Sequence, residues 1–599
     1  MVLLLTQTID GFSPFLTQIT MAHVTSTTNT NVVQKETVPI NTYAECVKDH
    51  TLKPNVPNRQ QSIKSINHIQ NKILPSPVNP EVLARELQGY KKDLFQTNID
   101  GFTFGFKLGM EGDKSHGTCT RISKNHKSAI ENPAKVYEKL AKESLLNRIA
   151  GPFKTPPLKN LVCSPLGLVP KNVPGKFRLI HDLSYPKGNS VNSLIPQENS
   201  TVKYDGIDTV IQLVKQFGRH CKLSKCDIED AFRIIPIHPS DYYLLGFTWN
   251  NYFYFDRCLP MGASSSCQIF EKFSCAIQWI MQTKYHAAGM SHIIDDFLFV
   301  GPPNSDKSLH DLNSFLQLCN RIGIPIKAEK TVYPTTVITI YGIEIDSNKM
   351  ECRLPVDKIV KIRNALNKTY NRKKIKLRDL QSLIGLLNFA CLVVSPGRAF
   401  LRRLIDLTIK VFNPFHWIKL TCEARADILA WKCFIESFNG KSMFLPDHWV
   451  SSDHLRLYTD ASGNVGYGAV FGSWWFANSW PKQLMSYSIA VKELFPIVIA
   501  LEIWGPFIKN SKILFLSDNQ AVVDIINKKS CKNKTLMILI RRLVLASMTW
   551  NVIFRSKHIK GKTNIVADLL SRSQFQKAHK VAPWLSPTPA DIPVHLLKV

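Results

Sequence analysis

Residues 291–301 read SHIIDDFLFVG, two short β-rich runs that meet at the adjacent pair Asp295 and Asp296. Runs so arranged predict a tight hairpin with both carboxylates at its tip. Alone, such a turn is most often a solvated loop, so its meaning depends on what else the chain brings to it. Upstream, KLSKCDIEDAFRIIPIHP predicts an apolar strand ending at Asp227, followed by a turn through Glu229, Asp230 and Phe232. Between the two, DRCLPMGASSSCQIF opens a turn at Pro260 and Gly262 that leads into a helix. Two carboxylates held at ~4 Å repel by about 4 kcal/mol at an effective dielectric near 20. A buried cluster of them is therefore costly unless cations occupy it. Phosphoryl transfer by two divalent cations about 4 Å apart needs carboxylates converging from separate segments in this way. With oxygen ligands and substrate phosphates, magnesium is the natural occupant.

The rest of the chain fits a polyanionic partner. Its 599 residues exceed one compact core and predict three or more units, and 75 Lys+Arg against 46 Asp+Glu leave a formal charge of +29. Nucleic acid is the commonest partner for such an excess, an anionic membrane surface the rival. The basic residues are spread along the whole sequence. The one long low-charge stretch, near Leu494 to Ile508, is interrupted by Glu502, Pro496 and Pro506, so no transmembrane helix is expected. Val2 to Leu5 is too short an apolar run for a secretory signal, which predicts an intracellular protein, in cytoplasm or nucleus. The 14 Cys show no Cys-x-x-Cys pair and read as buried thiols rather than disulfides or a metal site.

Composition and periodicity divide the chain into an N-terminal arm (1–79) expected to be disordered or partner-dependent and a helical extension (80–150). A strand-rich region (151–350), a helical basic segment (351–449), a further α/β domain (450–575) and a Pro-rich extended tail (576–599) complete the order. In the basic segment, LRDLQSLIGLLNFA places Leu380, Leu383, Ile384, Leu387 and Phe389 as on an amphipathic helix.

Taken together, CDIEDAF, LPMGASSS and IIDD resemble motifs A, B and C of the reverse transcriptase family. The resemblance implies that Asp227, Asp295 and Asp296 form a metal-binding triad and that Phe232 is an aromatic gate beneath the incoming sugar. It implies that Lys171 and Arg178, in LVPKNVPGKFRLIHDLS, contact the triphosphate and that Met261 flanks the nucleotide. It makes Lys330, in GIPIKAEKT, a proton donor to the leaving group, and sets Gln381, Gly385 and Phe389 on a thumb helix along the primer-template. Plain core packing is the expectation for that helix's apolar residues. The blocks HDLSYPKGNSVNSLIP, VVSPGRAFLRRL and APWLSPTPADIPVHLL resemble DIRS-type, tyrosine-recombinase retrotransposons. Two departures stand out: Ile293 replaces the Tyr of most retroviral relatives, and Met261 replaces a nucleotide-touching Gln. Both flank the metals rather than ligate them.

A second set of acids lies downstream. LRLYTDASGNVGYGAVF predicts a hairpin around Gly463-Asn464 with Asp460 near the end of its first strand, and it resembles the opening of ribonuclease H. Glu493 falls near the start of a helix, Asp518 after a buried strand, and His558 and Asp568 in HIKGKTNIVADLLSR. The resemblance implies that Asp460, Glu493, Asp518 and Asp568 hold two metal ions and that His558, on a mobile basic loop, assists turnover. Taken singly, each acid reads as a cap or surface charge; Asp518 in particular stands where a helix cap belongs.

The expected architecture is α/β multidomain: a right-hand polymerase (fingers, palm, thumb) followed by a ribonuclease H-like domain with a mixed sheet flanked by helices. The implied activity is RNA- and DNA-directed DNA synthesis with hydrolysis of the hybrid's RNA. It would use two Mg2+ ions per active site, with Mn2+ as alternative. RNA template, DNA primer, RNA-DNA hybrid and deoxynucleoside triphosphates are the expected partners, with no membrane. No Asp-Thr/Ser-Gly protease motif and no integrase-type His/Cys arrangement is found, so a recombinase or other element protein is expected on another chain. The alternative is a non-catalytic nucleic-acid-binding protein derived from a retroelement, which the set of seven carboxylates disfavours.

Overall fold

A computed structural model describes residues 74–110, 120–171, 175–437, 441–445, 448–529, 531 and 533–597. The chain forms two compact units that part between Thr336 and Val337. The segment 1–73, most of the expected N-terminal arm, lies outside the described residues.

In the first unit a hairpin of β1 (Leu166–Pro170) and β2 (Phe177–His181) precedes β3 (Lys222–Asp227). Helix α1 (Ser266–Thr283), the hairpin strands β4 (Met290–Ile293) and β5 (Asp296–Gly301), α2 (Lys307–Ile322) and β6 (Val332–Thr335) come next. The four later strands pair antiparallel in the order β6-β3-β5-β4. Phe297, Leu298, Phe299 and Val300 of β5 are all fully buried. That is why the strand reads as an unbroken apolar run: alternation is needed only where one face of a sheet meets water. Phe315 of α2 packs against both Phe297 and Phe299. A five-stranded sheet (order Arg121–Ile122, Val162–Cys163, Gly246–Trp249, Tyr252–Asp256, Ile149–Phe153) completes the unit.

The expected helical extension is integral to this unit. Leu83, Leu87, Phe102 and Phe106 join the same core as β5 and α1, and residues 121–122 and 149–153 are sheet strands. Residues 74–79 are likewise docked: Ser76 Oγ donates to the Ile234 carbonyl (2.6 Å) and Asn79 N to the Ile322 carbonyl (2.7 Å).

The second unit opens with a four-stranded sheet, Val337–Ile340, Ile343–Asp346, Glu351–Arg353 and Lys441–Met443. Strand 441–443 pairs with 351–353, and the compact unit that holds this sheet begins at Val337. Helix α3 (Leu377–Ala390) buries Leu380, Leu383, Ile384 and Leu387, as the periodicity predicts, whereas Phe389, expected with them, is only half-buried.

Farther along lie β7 (Tyr458–Ala461), β8 (Gly466–Phe471), β9 (Trp474–Ser479), α4 (Ile489–Trp504), β10 (Lys512–Ser517), α5 (Gln520–Lys528), α6 (Lys534–Thr549), β11 (Ile553–His558) and α7 (Ile565–Ser571). The single mixed sheet expected here is instead two. Strands β7, β8 and β9 form an antiparallel sheet, while β10 pairs in parallel with β11 and with Val450–Ser451. Those two residues pair with β10 at Ile513 and Leu514, and the two sheets approach at β7 and β10 without a shared ladder.

The C-terminal segment is not a free tail. Helix Phe575–Val581 and the residues just after it bury Ala578, Ala582 and Leu585 against Val470, Trp475 and Leu570. Trp475 Nε1 donates to the Ser586 carbonyl (2.8 Å). Its prolines break secondary structure, but its apolar residues still find a core. No helix among the described residues is long and apolar enough to cross a membrane.

Candidate active sites

Strand β3 delivers Asp227 to the sheet end at which β4 turns into β5. Asp296 pairs in register with Asp227 on one side and with Ile293 on the other, leaving Ile294 and Asp295 as a two-residue loop. Ile294 has φ +56°, a left-handed conformation that costs a β-branched residue about 1–3 kcal/mol. Helix α1 holds it there: Glu271 Oε2 accepts from Ile294 N (3.2 Å) and Ser274 Oγ donates to the Ile294 carbonyl (2.6 Å). The Asp295 carbonyl accepts from Ile228 N (3.1 Å), which ties the turn to the residue after Asp227. Nothing in the local sequence marks Glu271 or Ser274 for this role, since each acts across 20 or more residues.

The cluster is short of positive charge. Burial, then the charges of Asp227 and Asp296, push Asp295 up to about 7. Asp296 is also raised, by burial first and by Asp227 against the opposing pull of Lys225. Lys330 Nζ sits 2.6 Å from Asp227 Oδ2; that contact holds its ammonium above the usual range although burial acts the other way. Hard oxygen donors crowded together and under-neutralised fit divalent cations such as Mg2+. The three acids are not drawn as a trio within 4.8 Å, the span within which Asp460, Glu493 and Asp518 do meet.

Around this centre, Lys171 N donates to the Lys176 carbonyl, and Arg178 pairs with Val169 across the β1–β2 hairpin. Burial and the nearby Arg178 charge lower the Lys171 ammonium, so two cations share one end of the hairpin. Phe232 is half-buried, its ring 5.5 Å from Phe270 of α1 in an edge-on contact. Met261 is 56% exposed. On α3, Gln381, Gly385 and Phe389 repeat every four residues along the face that is not buried, and a Cβ at Gly385 would meet open space.

In the second unit Asp460, Glu493 and Asp518 offer oxygens within 4.8 Å of one another from β7, α4 and the end of β10. Asp518 does not cap the helix after it. Asn519 does, its side chain accepting from Val522 N, which leaves the Asp518 carboxylate to the cluster. Burial and the other three acids push Glu493 up to about 9. Asp460 rises to about 6 through burial, opposed by a hydrogen bond from Ser571 Oγ (2.6 Å). Asp568 stands apart from the trio, paired with Arg572 one helical turn on (2.8 Å). Gly468, opposite Asp460, makes the approach of α7 possible: a Cβ there would lie 2.7 Å from Leu570 Cβ and 3.1 Å from Ser571 N. His558 ends strand β11 in register with Ser517, rather than lying on a loop, because the ladder with β10 runs to its last residue. Its Nε2 is 3.0 Å from the Asp518 carbonyl.

Comparison with known proteins places these observations. Residues 169–345 match the family model described as reverse transcriptase (RNA-dependent DNA polymerase). The Transposon Tf2-3 polyprotein of Schizosaccharomyces pombe is 22% identical over 378 residues, 60% of this chain and 26% of the relative. Protein P of Heron hepatitis B virus is 25% identical over 247 residues, 41% of this chain and 29% of the relative. The chain thus spans between a quarter and a third of the length of these relatives. Among solved structures, the foamy viral protease-reverse transcriptase in complex with double-stranded DNA has a TM-score of 0.45 at 15% identity, covering 86% of this chain and 84% of that one. Asp227, Asp295 and Asp296 all fall inside the matched stretch, and the chain accordingly carries a reverse transcriptase domain over residues 169–345.

Proposed function

We propose that the chain copies RNA and DNA templates into DNA at Asp227, Asp295 and Asp296, and hydrolyses the RNA of the resulting hybrid at Asp460, Glu493, Asp518 and Asp568. The observation that carries the reading is the presence of two acid clusters, one at the ends of β3 and β5 and the loop before β5, the other drawn from β7, α4, the end of β10 and α7. In both, burial and then the neighbouring acids raise a carboxyl group, as a site suited to cations would. Two Mg2+ ions per cluster would supply the Lewis acid and the activated oxygen nucleophile. The chain's own contribution is to hold the acids: α1 fixes the strained turn, and Ser571 and Gly468 fix the Asp460 side.

Lys171 and Arg178 are suited to the triphosphate and Phe232 to the sugar of a deoxynucleoside triphosphate. The non-buried stripe Gln381, Gly385 and Phe389 is suited to a primer-template backbone, with RNA template, DNA primer and hybrid as polymeric partners. Lys330 neutralises Asp227 and would serve as proton donor to the leaving group. The motif blocks support a DIRS-type element.

The test separates the two sites. Asp295→Asn abolishes DNA synthesis on a primed homopolymer and leaves hybrid cleavage, while Glu493→Gln does the reverse. Either substitution leaving its own activity within a few-fold of wild type overturns that site. Both activities absent from wild type with Mg2+ and with Mn2+, while hybrid binding persists, would establish the non-catalytic binder.

A further inference from the structure

Beside the turn that carries Asp295 lies a group of side chains that supplies no acid to either cluster. Glu271 and Cys275 are one turn apart on α1, and His292 reaches toward them from β4. His292 Nε2 is 3.3 Å from Glu271 Oε1 and 3.9 Å from Cys275 Sγ, and the three ligand atoms lie within 4.8 Å of one another. We propose that Glu271, Cys275 and His292 form a binding site for a borderline-soft divalent cation of the zinc class, which braces the catalytic hairpin from α1.

Three features support it. The first is the donor set. Carboxylate, thiolate and imidazole together suit Zn2+ and its neighbours, whereas Mg2+ and Ca2+ prefer oxygen alone. Zinc bonds of about 2.0–2.3 Å at tetrahedral angles put neighbouring ligand atoms roughly 3.3–3.6 Å apart. Nitrogen and oxygen are already so spaced, and a small rotation of Cys275, which is exposed, brings the sulfur in.

The second is orientation from behind. Gln278 Oε1 accepts from His292 Nδ1, which leaves Nε2 as the ligand atom, and the ring stacks on Phe297 at 5.2 Å. A histidine fixed through its other nitrogen is the usual support of a metal ligand. The second Glu271 oxygen is taken by Ile294 N, so only Oε1 is left for a cation.

The third is access. The group opens on a cavity of about 310 Å³ also lined by Lys203, Asp205 and Trp279, which gives a three-ligand site room for an exogenous fourth ligand. The bland rival is a buried Glu271–His292 ion pair beside an uninvolved thiol.

Because Glu271 also holds the strained Ile294, a cation here would stiffen the loop bearing Asp295 without touching substrate. The probe is Co2+, titrated into the full chain after chelation and in excess Mg2+, so that the carboxylate clusters are filled. One equivalent should give the near-ultraviolet charge-transfer absorption of a cobalt thiolate, and Zn2+ should bleach it. Cys275→Ala, at an exposed position that the fold does not need, should abolish both the band and the rise in Tm that Zn2+ gives wild type. No thiolate band in wild type, or a band that persists in Cys275→Ala, overturns the site and leaves the ion pair.

Discussion

Phe232 illustrates how one side chain can hold two roles that separate only under measurement. Its ring packs edge-on to Phe270, yet it remains half-buried on the segment just after Asp227. If the free edge abuts the 2′ carbon of an incoming sugar, a ribonucleotide is refused by collision rather than by a lost hydrogen bond. Phe232→Val should then raise ribonucleotide incorporation relative to deoxynucleotide incorporation by an order of magnitude or more. A ring that serves only the core would cost stability, up to about 3 kcal/mol for so large a truncation, and leave the ratio of kcat/KM values unchanged. Glu493 yields a different kind of prediction. In the folded, metal-free chain it stays protonated to about 9, against roughly 4.3 in an unfolded chain. Between those values the native state binds more protons than the unfolded state, so this contribution to stability is present at low pH and is lost as pH rises through about 9. Cations restore what the repulsion removes. The Tm gain from Mg2+ over chelator should therefore grow from pH 5 to pH 8; a constant gain would mean that the acids do not share a site.

At the level of elements, features that local pattern can carry are legible in the sequence, and those that depend on distant packing are not. The β4–β5 hairpin with acids at its tip, Asp227 at a strand end, Asp518 after β10 and the buried stripe of α3 come from periodicity and turn chemistry, which act over a few residues. Ser571 meets Asp460 across 111 residues, and Asn519 takes the cap for which Asp518 is an equal candidate by sequence; neither has a local signature. Proline content misleads over the tail 576–597 because it reports backbone freedom, while docking rests on Ala578, Ala582 and Leu585 finding Trp475. The expected mixed sheet is two, and the strand Val450–Ser451 that edges one of them is too short a run to register in the sequence. Helix α7 offers the sharpest test at this scale. Gly468→Val would drive a side chain into Leu570 and the α7 backbone, so the helix must shift and carry Asp568 and Ser571 with it. A displacement of about 1 Å is enough to lower a rate roughly 100-fold. Hybrid cleavage should fall by that order while DNA synthesis by the same preparation stays within a few-fold; undiminished cleavage would remove α7 from the site.

For the whole molecule the governing quantity is charge. The excess of 75 Lys+Arg over 46 Asp+Glu is distributed along the sequence rather than gathered in one basic tail, so it suits a long phosphate backbone tracked over many contacts. Such contacts hold a duplex in register but carry no sequence information. Each neutralised phosphate also releases condensed counterions, which makes the affinity fall linearly on logarithmic axes as salt rises. With roughly 6–10 phosphates engaged, hybrid binding should weaken by about 10³–10⁵ between 50 and 200 mM salt. The same slope should be found for hybrids of unrelated sequence. Asp295→Asn and Glu493→Gln each remove a potential negative charge, so neither should reduce affinity even where it abolishes catalysis. Equilibrium binding of a labelled hybrid, measured across that salt range in chelator and again with Mg2+, reads all of this at once. A flat salt dependence, or a slope that changes with sequence, would show that base or apolar contacts dominate and that the charge excess serves another polyanion.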